Sequence, residues 1–167
     1  MKTNIPDEYW TGIGLLENEC PWLVPEAIRK LESIDMSAMN VLEFGAGGST
    51  LFFARRAKSV ISFETSEEWY KKIMDEIVAK NINNVHISLN IKDLDLNRHY
   101  DIILIDSAGN RTEILNFVEQ LDCSDIIIVI DNYYDYNMIV SGDANVELHD
   151  DSHWNGKGTM IIYPDHD

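Results

Sequence analysis

Cysteine is scarce in this chain, at two in 167 residues. Cys20 and Cys123 stand far apart and in no metal-ligand spacing. That excludes a disulfide framework and gives no sign of a zinc module. Two reduced thiols are expected, as in a cytoplasmic protein. Basic residues are few as well: 13 Lys and Arg face 29 Asp and Glu, for a formal net charge of −16. No basic cluster is larger than the pairs Arg55-Arg56 and Lys71-Lys72. Such a field repels phosphate backbones and anionic lipid surfaces, so neither nucleic acid nor a membrane is an expected partner. No apolar run approaches the length of a membrane span. The opening residues, Met1 to Pro6, lack the apolar core of a signal peptide. Internal repeats and low-complexity tracts are absent from the sequence.

What is present suits a folded chain. Hydrophobic residues make up 45% of the sequence, enough for a real core. The length suits one domain over residues 1–167. Within it, residues 1–40 read as an N-terminal segment and helix, and residues 41–163 as a sheet that holds a ligand.

The most informative stretch is Val41-Leu42-Glu43-Phe44-Gly45-Ala46-Gly47-Gly48-Ser49-Thr50. Its first four residues read as a short buried strand. Three glycines then permit a sharp turn that side chains would obstruct. Leu51 to Ala57 reads as a helix. Strand, bare turn and helix start leave backbone N–H groups around a small concave site, which suits a nucleotide-like ligand. A second strand, Ser59 to Phe63, ends in Glu64, 19 residues past Gly45. In a βαβ nucleotide fold an acid about 20 residues on accepts hydrogen bonds from ribose hydroxyls. Glu64 could instead open the next helix, where an acid suits the dipole, but strand, spacing and acid together favour the ribose role. The full dinucleotide fingerprint would need glycine at position 50, where the chain has Thr50.

Glu43-Phe44-Gly45-Ala46-Gly47 and Glu64 resemble the first two motifs of class I S-adenosylmethionine-dependent methyltransferases. The family's first motif is E/D-x-G-x-G-x-G; here its last glycine is Ser49, with Gly48 beside it. The resemblance implies a doubly wound, mainly parallel α/β sheet of seven strands, Rossmann-like, with an antiparallel last strand. It implies S-adenosylmethionine as cofactor. Gly45 and Gly47 would let the backbone approach its methionine part, Glu43 would help hold its amino group, and Glu64 its ribose. The family also places an acid or amide after the third strand against the adenine, for which Asp93 and Asn90 are both candidates.

The remaining pattern agrees with that architecture. Residues 1–24 are broken by Pro6, Gly12, Gly14 and Pro21 and carry Tyr9, Trp10 and Trp22. These rings either close over the cofactor or cover the sheet as core. Pro25 starts a helix with Ala27, Ile28, Leu31 and Ile34 at helical spacing. Thr65 with Glu68 forms a capping box for a helix to about Lys80, with Trp69, Ile73, Ile77 and Val78 on its buried face, though Trp69 could instead pack near the adenine. Val85–Leu89 is a third strand. Residues 90–99 are too short for a full crossover helix, and His99 reads as a surface residue. Tyr100–Asp106 is a strand covered on both faces. A helix follows from a box at Asn110 to about Leu121, then a strand Asp125–Ile130. A short helix through Ile139-Val140 precedes two closely joined strands, 145–148 and 159–163. The alternation of strands and helices argues a doubly wound sheet.

Asp106 and the pair Asp131-Asn132 end neighbouring strands on the rim where open α/β sheets bind ligands. Three such oxygen ligands could hold Mg²⁺, and Asp106 is the candidate catalytic group. The arrangement resembles the metal-dependent catechol and caffeoyl-CoA O-methyltransferases. Those carry a lysine base three residues after the first Asp, where this chain has Gly109. Arg111 nearby is a poor base. Tyr133, Tyr134, Tyr136, His153 and Trp154 could form an aromatic substrate wall. The expected function is methyl transfer to a small molecule, at oxygen. The alternatives are a nicotinamide-binding Rossmann protein and a non-catalytic methyltransferase-like scaffold.

Overall fold

The computed structural model describes residues 1–107, 111–118, 120, 121, 123–136, 145–150 and 158–164. Helices α1 (Pro25–Glu32), α2 (Gly48–Ala54), α3 (Glu67–Ala79) and α4 (Arg111–Val118) alternate with strands β1 (Asn40–Phe44), β2 (Ser59–Phe63), β3 (Val85–Ser88), β4 (Ile102–Ile105) and β5 (Ile127–Asp131). Strands β6 (Asn145–Asp150) and β7 (Gly158–Tyr163) close the chain. All seven form one sheet in the order β3-β2-β1-β4-β5-β7-β6. Only β7 runs against its neighbours; it pairs antiparallel with both β5 and β6. The Rossmann-like sheet expected from the sequence is therefore present, antiparallel strand included.

Side-chain alternation explains why the strands read as continuous apolar runs. In β4, Ile102 and Leu104 enter one core cluster with α1 and α2, while Ile103 and Ile105 enter another on the opposite face with α4. In β1, Val41 faces α2 and Leu42 and Phe44 face the other way. Glu43 shares the parity of Val41 and so points towards α2. β1 lies between β2 and β4, and the chain leaves it to one side and returns on the other. That reversal opens a crevice beyond the carboxyl ends of β1 and β4.

Local physics sets the ends of the helices. Pro25 occupies the first turn of α1, and Ala27, Ile28 and Leu31 are its buried stripe. Helix α3 is capped by Ser66, whose Oγ accepts the Trp69 N–H at 3.2 Å. The cap is therefore one residue later than the Thr65 box predicts. Ile73 and Ile77 are buried, whereas Val78 is 71% exposed because it sits a quarter-turn off that stripe. Helix α2 starts at Gly48, three residues before the expected Leu51. The 90–99 segment makes one 3-10 turn, Ile91–Asp93. The boxed Asn110, the 139–140 helix and the 151–157 loop lie outside the described residues.

The N-terminal segment does two things at once. Tyr9 is buried in the core cluster with Ile28 and Phe52, as a covering ring would be. Beyond it the backbone crosses α2, so close that a Cβ on Gly48 would stand 2.1 Å from the Cys20 carbonyl oxygen and 2.8 Å from that of Leu15. Glu19 ties this crossing to two helices, pairing with Arg55 at 2.9 Å and Lys80 at 3.3 Å. The Arg55 hydrogen bonds hold the Glu19 carboxyl below its ordinary range. Gly48→Ala is expected to cost at least about 2 kcal/mol, because backbone must move to admit the methyl. Limited proteolysis should then cut within residues 1–24 well before the sheet unfolds.

Candidate functional site

A cavity of about 950 Å³ occupies the crevice at the carboxyl ends of the strands. Its floor is the bare turn, Gly45 to Gly48; Glu64, Thr65 and Trp69 form one side. Asp106, Ser107, Arg111, Asp131 and Asn132 form the other, and Leu15, Leu16, Cys20 and Trp22 close it from above. Sequence reasoning left open whether the N-terminal rings line the site or cover the core. Tyr9 does the second and Trp22 the first.

The glycines of the floor have different reasons to be glycine. Gly45 has φ of 96°, and a Cβ there would lie 2.5 Å from the Asp106 carbonyl oxygen. It lets the turn after β1 pass the end of β4 in a conformation that side chains resist. Gly47 is extended, and a Cβ there would meet nothing nearer than the Trp69 indole nitrogen at 3.9 Å. Among the described residues, none requires Gly47 to lack a side chain.

Glu43 does not line the cavity. It is fully buried beneath the turn, and its carboxylate accepts hydrogen bonds from three hydroxyls: Ser49, Thr50 and Ser62. Ser62 is its register partner on β2, while Ser49 and Thr50 open α2. Burial pushes the Glu43 carboxyl up to about 7, against the opposing pull of the three hydroxyls. Thr50 passes the connection on, since its Oγ1 accepts the Gly47 N–H at 2.9 Å. Any influence of Glu43 on a ligand therefore runs through the turn.

Glu64 opens the next element, as one of its two readings expects, and it also lines the cavity. Its Oε1 accepts the N–H groups of Thr65 and Ser66 at 2.7 and 2.8 Å, so it opens the loop into α3. Its side chain also lines the cavity. Trp69 is half-buried and packs against the core cluster of Leu51, Ile73 and Ile77, as expected, and it also forms part of the wall; its indole N–H donates to the Ala46 carbonyl at 2.6 Å.

Asp106, Asp131 and Asn132 do converge on the cavity. The magnesium expectation nevertheless finds no support in their surroundings. Asp131 is 2% exposed, and its Oδ1 accepts the Thr159 hydroxyl at 2.9 Å. The guanidinium of Arg111 already supplies a fixed positive charge at the same rim. It is 5% exposed and donates to the carbonyls of Ser107 at 2.9 Å and Asp131 at 2.5 Å. Among the described residues, no group of three or more His, Cys, Asp or Glu could hold a metal ion. Asn132 offers something else: its backbone is left-handed, with φ of 53°, and its Oδ1 is buried without a hydrogen-bond partner. Among the described residues nothing donates to that amide oxygen.

Asp93 also needs correction. It does not reach the main cavity but lines a separate shallow hollow with Tyr70, His86 and Ser88, and the Ser88 hydroxyl donates to it at 2.5 Å. The 3-10 turn bends its carboxylate back onto β3. Asn90, the other adenine-side candidate, lines the same hollow. Tyr133 and Tyr134 stack at 4.1 Å, both donate to Asp150, and neither lines the cavity. Tyr136 ends a 3-10 turn, Tyr133–Tyr136. Gly109, His153 and Trp154 lie outside the described residues. His99 is exposed beside Asp101, as expected. Burial pushes the Cys20 thiol up to about 12, so thiolate chemistry has no foothold in the cavity near neutral pH.

No family model and no curated protein matches the sequence. The fold, however, is shared with solved structures. A Streptococcus mutans protein assigned as a methyltransferase, crystallised with S-adenosylhomocysteine, superposes with a TM-score of 0.60 at 16% identity, over 80% of this chain and 92% of that one. An rRNA methylase from Streptococcus thermophilus gives 0.59 at 15% identity, over 78% and 90%. A Klebsiella pneumoniae protein assigned as an O-methyltransferase gives 0.58 at 15%, over 84% and 77%. The chain has the fold of class I S-adenosylmethionine-dependent methyltransferases. Within that fold the neighbours differ in what they modify, so substrate has to be argued from this chain's own cavity.

Proposed function

We propose that this chain is an S-adenosylmethionine-dependent methyltransferase acting on the hydroxyl of a small molecule. The observation that carries the reading is Gly47. Its open side faces a cavity flanked by Glu64 and by Asp106. When bound, the cofactor supplies an electrophilic methyl group. The protein's contribution is placement. Gly45 and Gly47 admit the methionine part, Glu64 accepts from the ribose hydroxyls, and Glu43 fixes the turn from below.

On the acceptor side, Asp106 receives the hydroxyl proton. Arg111 holds the ends of β4 and β5 together through its two carbonyl bonds. Transfer then depends on alignment of the hydroxyl with the methyl group. Six carboxylate side chains line the cavity against Lys72 and Arg111. With a net charge of −16, this disfavours a polynucleotide acceptor. Among the described residues, no helix is long and apolar enough to cross a membrane.

Thermal denaturation with S-adenosylhomocysteine or NAD tests the cofactor. At 100-fold excess over Kd, a ligand selective for the native state adds about 2.7 kcal/mol, a shift of several degrees. The expected result is a rise with S-adenosylhomocysteine and none with NAD. A rise with NAD alone would favour the nicotinamide alternative, against which Thr50 already stands with its hydroxyl committed to Glu43. Transfer of a labelled methyl group to pooled metabolites tests catalysis. Cofactor binding without transfer to any pool would favour the scaffold.

A further inference from the structure

We infer that Trp69 is a positioning residue for the methionine half of the cofactor; this rests on the reading just given. The peptide between Ala46 and Gly47 is held at both ends. Its carbonyl accepts the Trp69 indole N–H at 2.6 Å. Its N–H donates to Thr50 Oγ1 at 2.9 Å, and Thr50 is held in turn by Glu43. One bond comes from α3 and the other from α2, so the peptide plane cannot rotate without breaking both. It is also the plane that presents the open side of Gly47 to the cavity.

Trp69 itself is fixed at its backbone by the Ser66 cap. The same short stretch carries the Ser66 N–H that Glu64 Oε1 accepts. The ribose acceptor and the turn are thus spaced by a single side chain crossing between them. With Phe at position 69 the ring remains but the N–H is gone, and the peptide keeps only its Thr50 tether. The ribose side keeps its own anchors, the amides of Thr65 and Ser66. A ligand that spans both halves should sense the change, and one confined to the adenosyl half should not.

The test is calorimetric titration of wild type and Trp69→Phe with two ligands: S-adenosylhomocysteine, and 5′-methylthioadenosine, which lacks the amino-acid end. Losing one hydrogen bond to the turn is expected to weaken S-adenosylhomocysteine about tenfold. Methylthioadenosine should change by less than about twofold, since its anchors are intact. Equal weakening of both ligands would overturn the inference, because a general loss of structure acts on both. Unchanged affinity for both would overturn it too, whatever happens to Tm. If wild type binds S-adenosylhomocysteine but not methylthioadenosine, the ribose side is no independent anchor and the inference fails while the cofactor assignment stands. If wild type binds neither, the cofactor assignment itself fails.

Discussion

Gly47→Ala is expected to remove most affinity for S-adenosylhomocysteine while leaving the fold intact. The methyl would enter open space, with its nearest neighbour 3.9 Å away, and the extended backbone accepts a side chain. Stability should therefore change by no more than about 0.5 kcal/mol. Affinity should fall about 100-fold, equivalent to about 2.7 kcal/mol, because the methyl takes the volume the ligand must enter. Gly45→Ala is the contrasting substitution. There the backbone is left-handed at φ of 96°, and the new Cβ would press on the Asp106 carbonyl at 2.5 Å. Strain and overlap together should cost about 3 kcal/mol of stability. Chemical denaturation and calorimetry on the two variants separate a ligand-facing glycine from a fold-facing one. If Gly47→Ala binds as tightly as wild type, the cofactor does not lie against the turn.

Glu43→Leu is expected to destabilise the protein by about 3 kcal/mol, because three buried hydroxyls lose their common acceptor at about 1 kcal/mol each. Glu43→Gln asks a finer question. Burial raises the native carboxyl to about 7 from an ordinary value of 4.5. The folded state therefore holds this proton more tightly than the unfolded chain does. The resulting stabilisation is fully present below pH 4.5 and is lost as pH rises through 7. A shift of that size corresponds to about 3 kcal/mol across the window. Glutamine has no proton to lose, so this contribution is missing from its profile. The difference in unfolding free energy between Glu43→Gln and wild type should move in the variant's favour from pH 4.5 to 7, then level off. A constant difference would mean that the wild-type carboxyl titrates at its ordinary value.

Much of the frame was legible because it follows from local chemistry. The apolar run Ile102 to Ile105 could only be a strand covered on both faces, and both faces are covered. Pro25 and the spacing of Ala27, Ile28 and Leu31 dictated α1. The run from Ser59 to Phe63 was bounded to the residue. Errors cluster where an element's end depends on a distant partner. Helix α2 begins early, where the Ser49 and Thr50 hydroxyls find Glu43. Val78 faces solvent because packing selected the stripe of Ile73 and Ile77 instead. Asp93 carries the right charge after the right strand, but the turn at 91–93 directs it to Ser88.

At the site, residue type was legible and residue role was not. Gly45, Gly47 and Glu64, which line the cavity, stand at a spacing one chain displays, whereas Glu43 entered through the motif it resembles. That Glu43 works from beneath the turn required the register that places Ser62 beside it. Trp69 carried no signal beyond its place on a helix face. Arg111, set aside as a poor base, is a buried bridge between strand ends. One clue to the covering segment was available in Gly48, whose bareness is required by the Cys20 carbonyl 28 residues earlier.

By itself the sequence determined the order of elements, the bare turn after β1, the acid that ends β2 and the excess of negative charge. These depend on neighbours a few residues away, or on composition alone. Tertiary structure decided which acids face the cavity, which face the core and what covers the crevice. Those outcomes depend on contacts between residues remote in the chain, where burial and hydrogen bonding select one placement from several that local preference leaves equal.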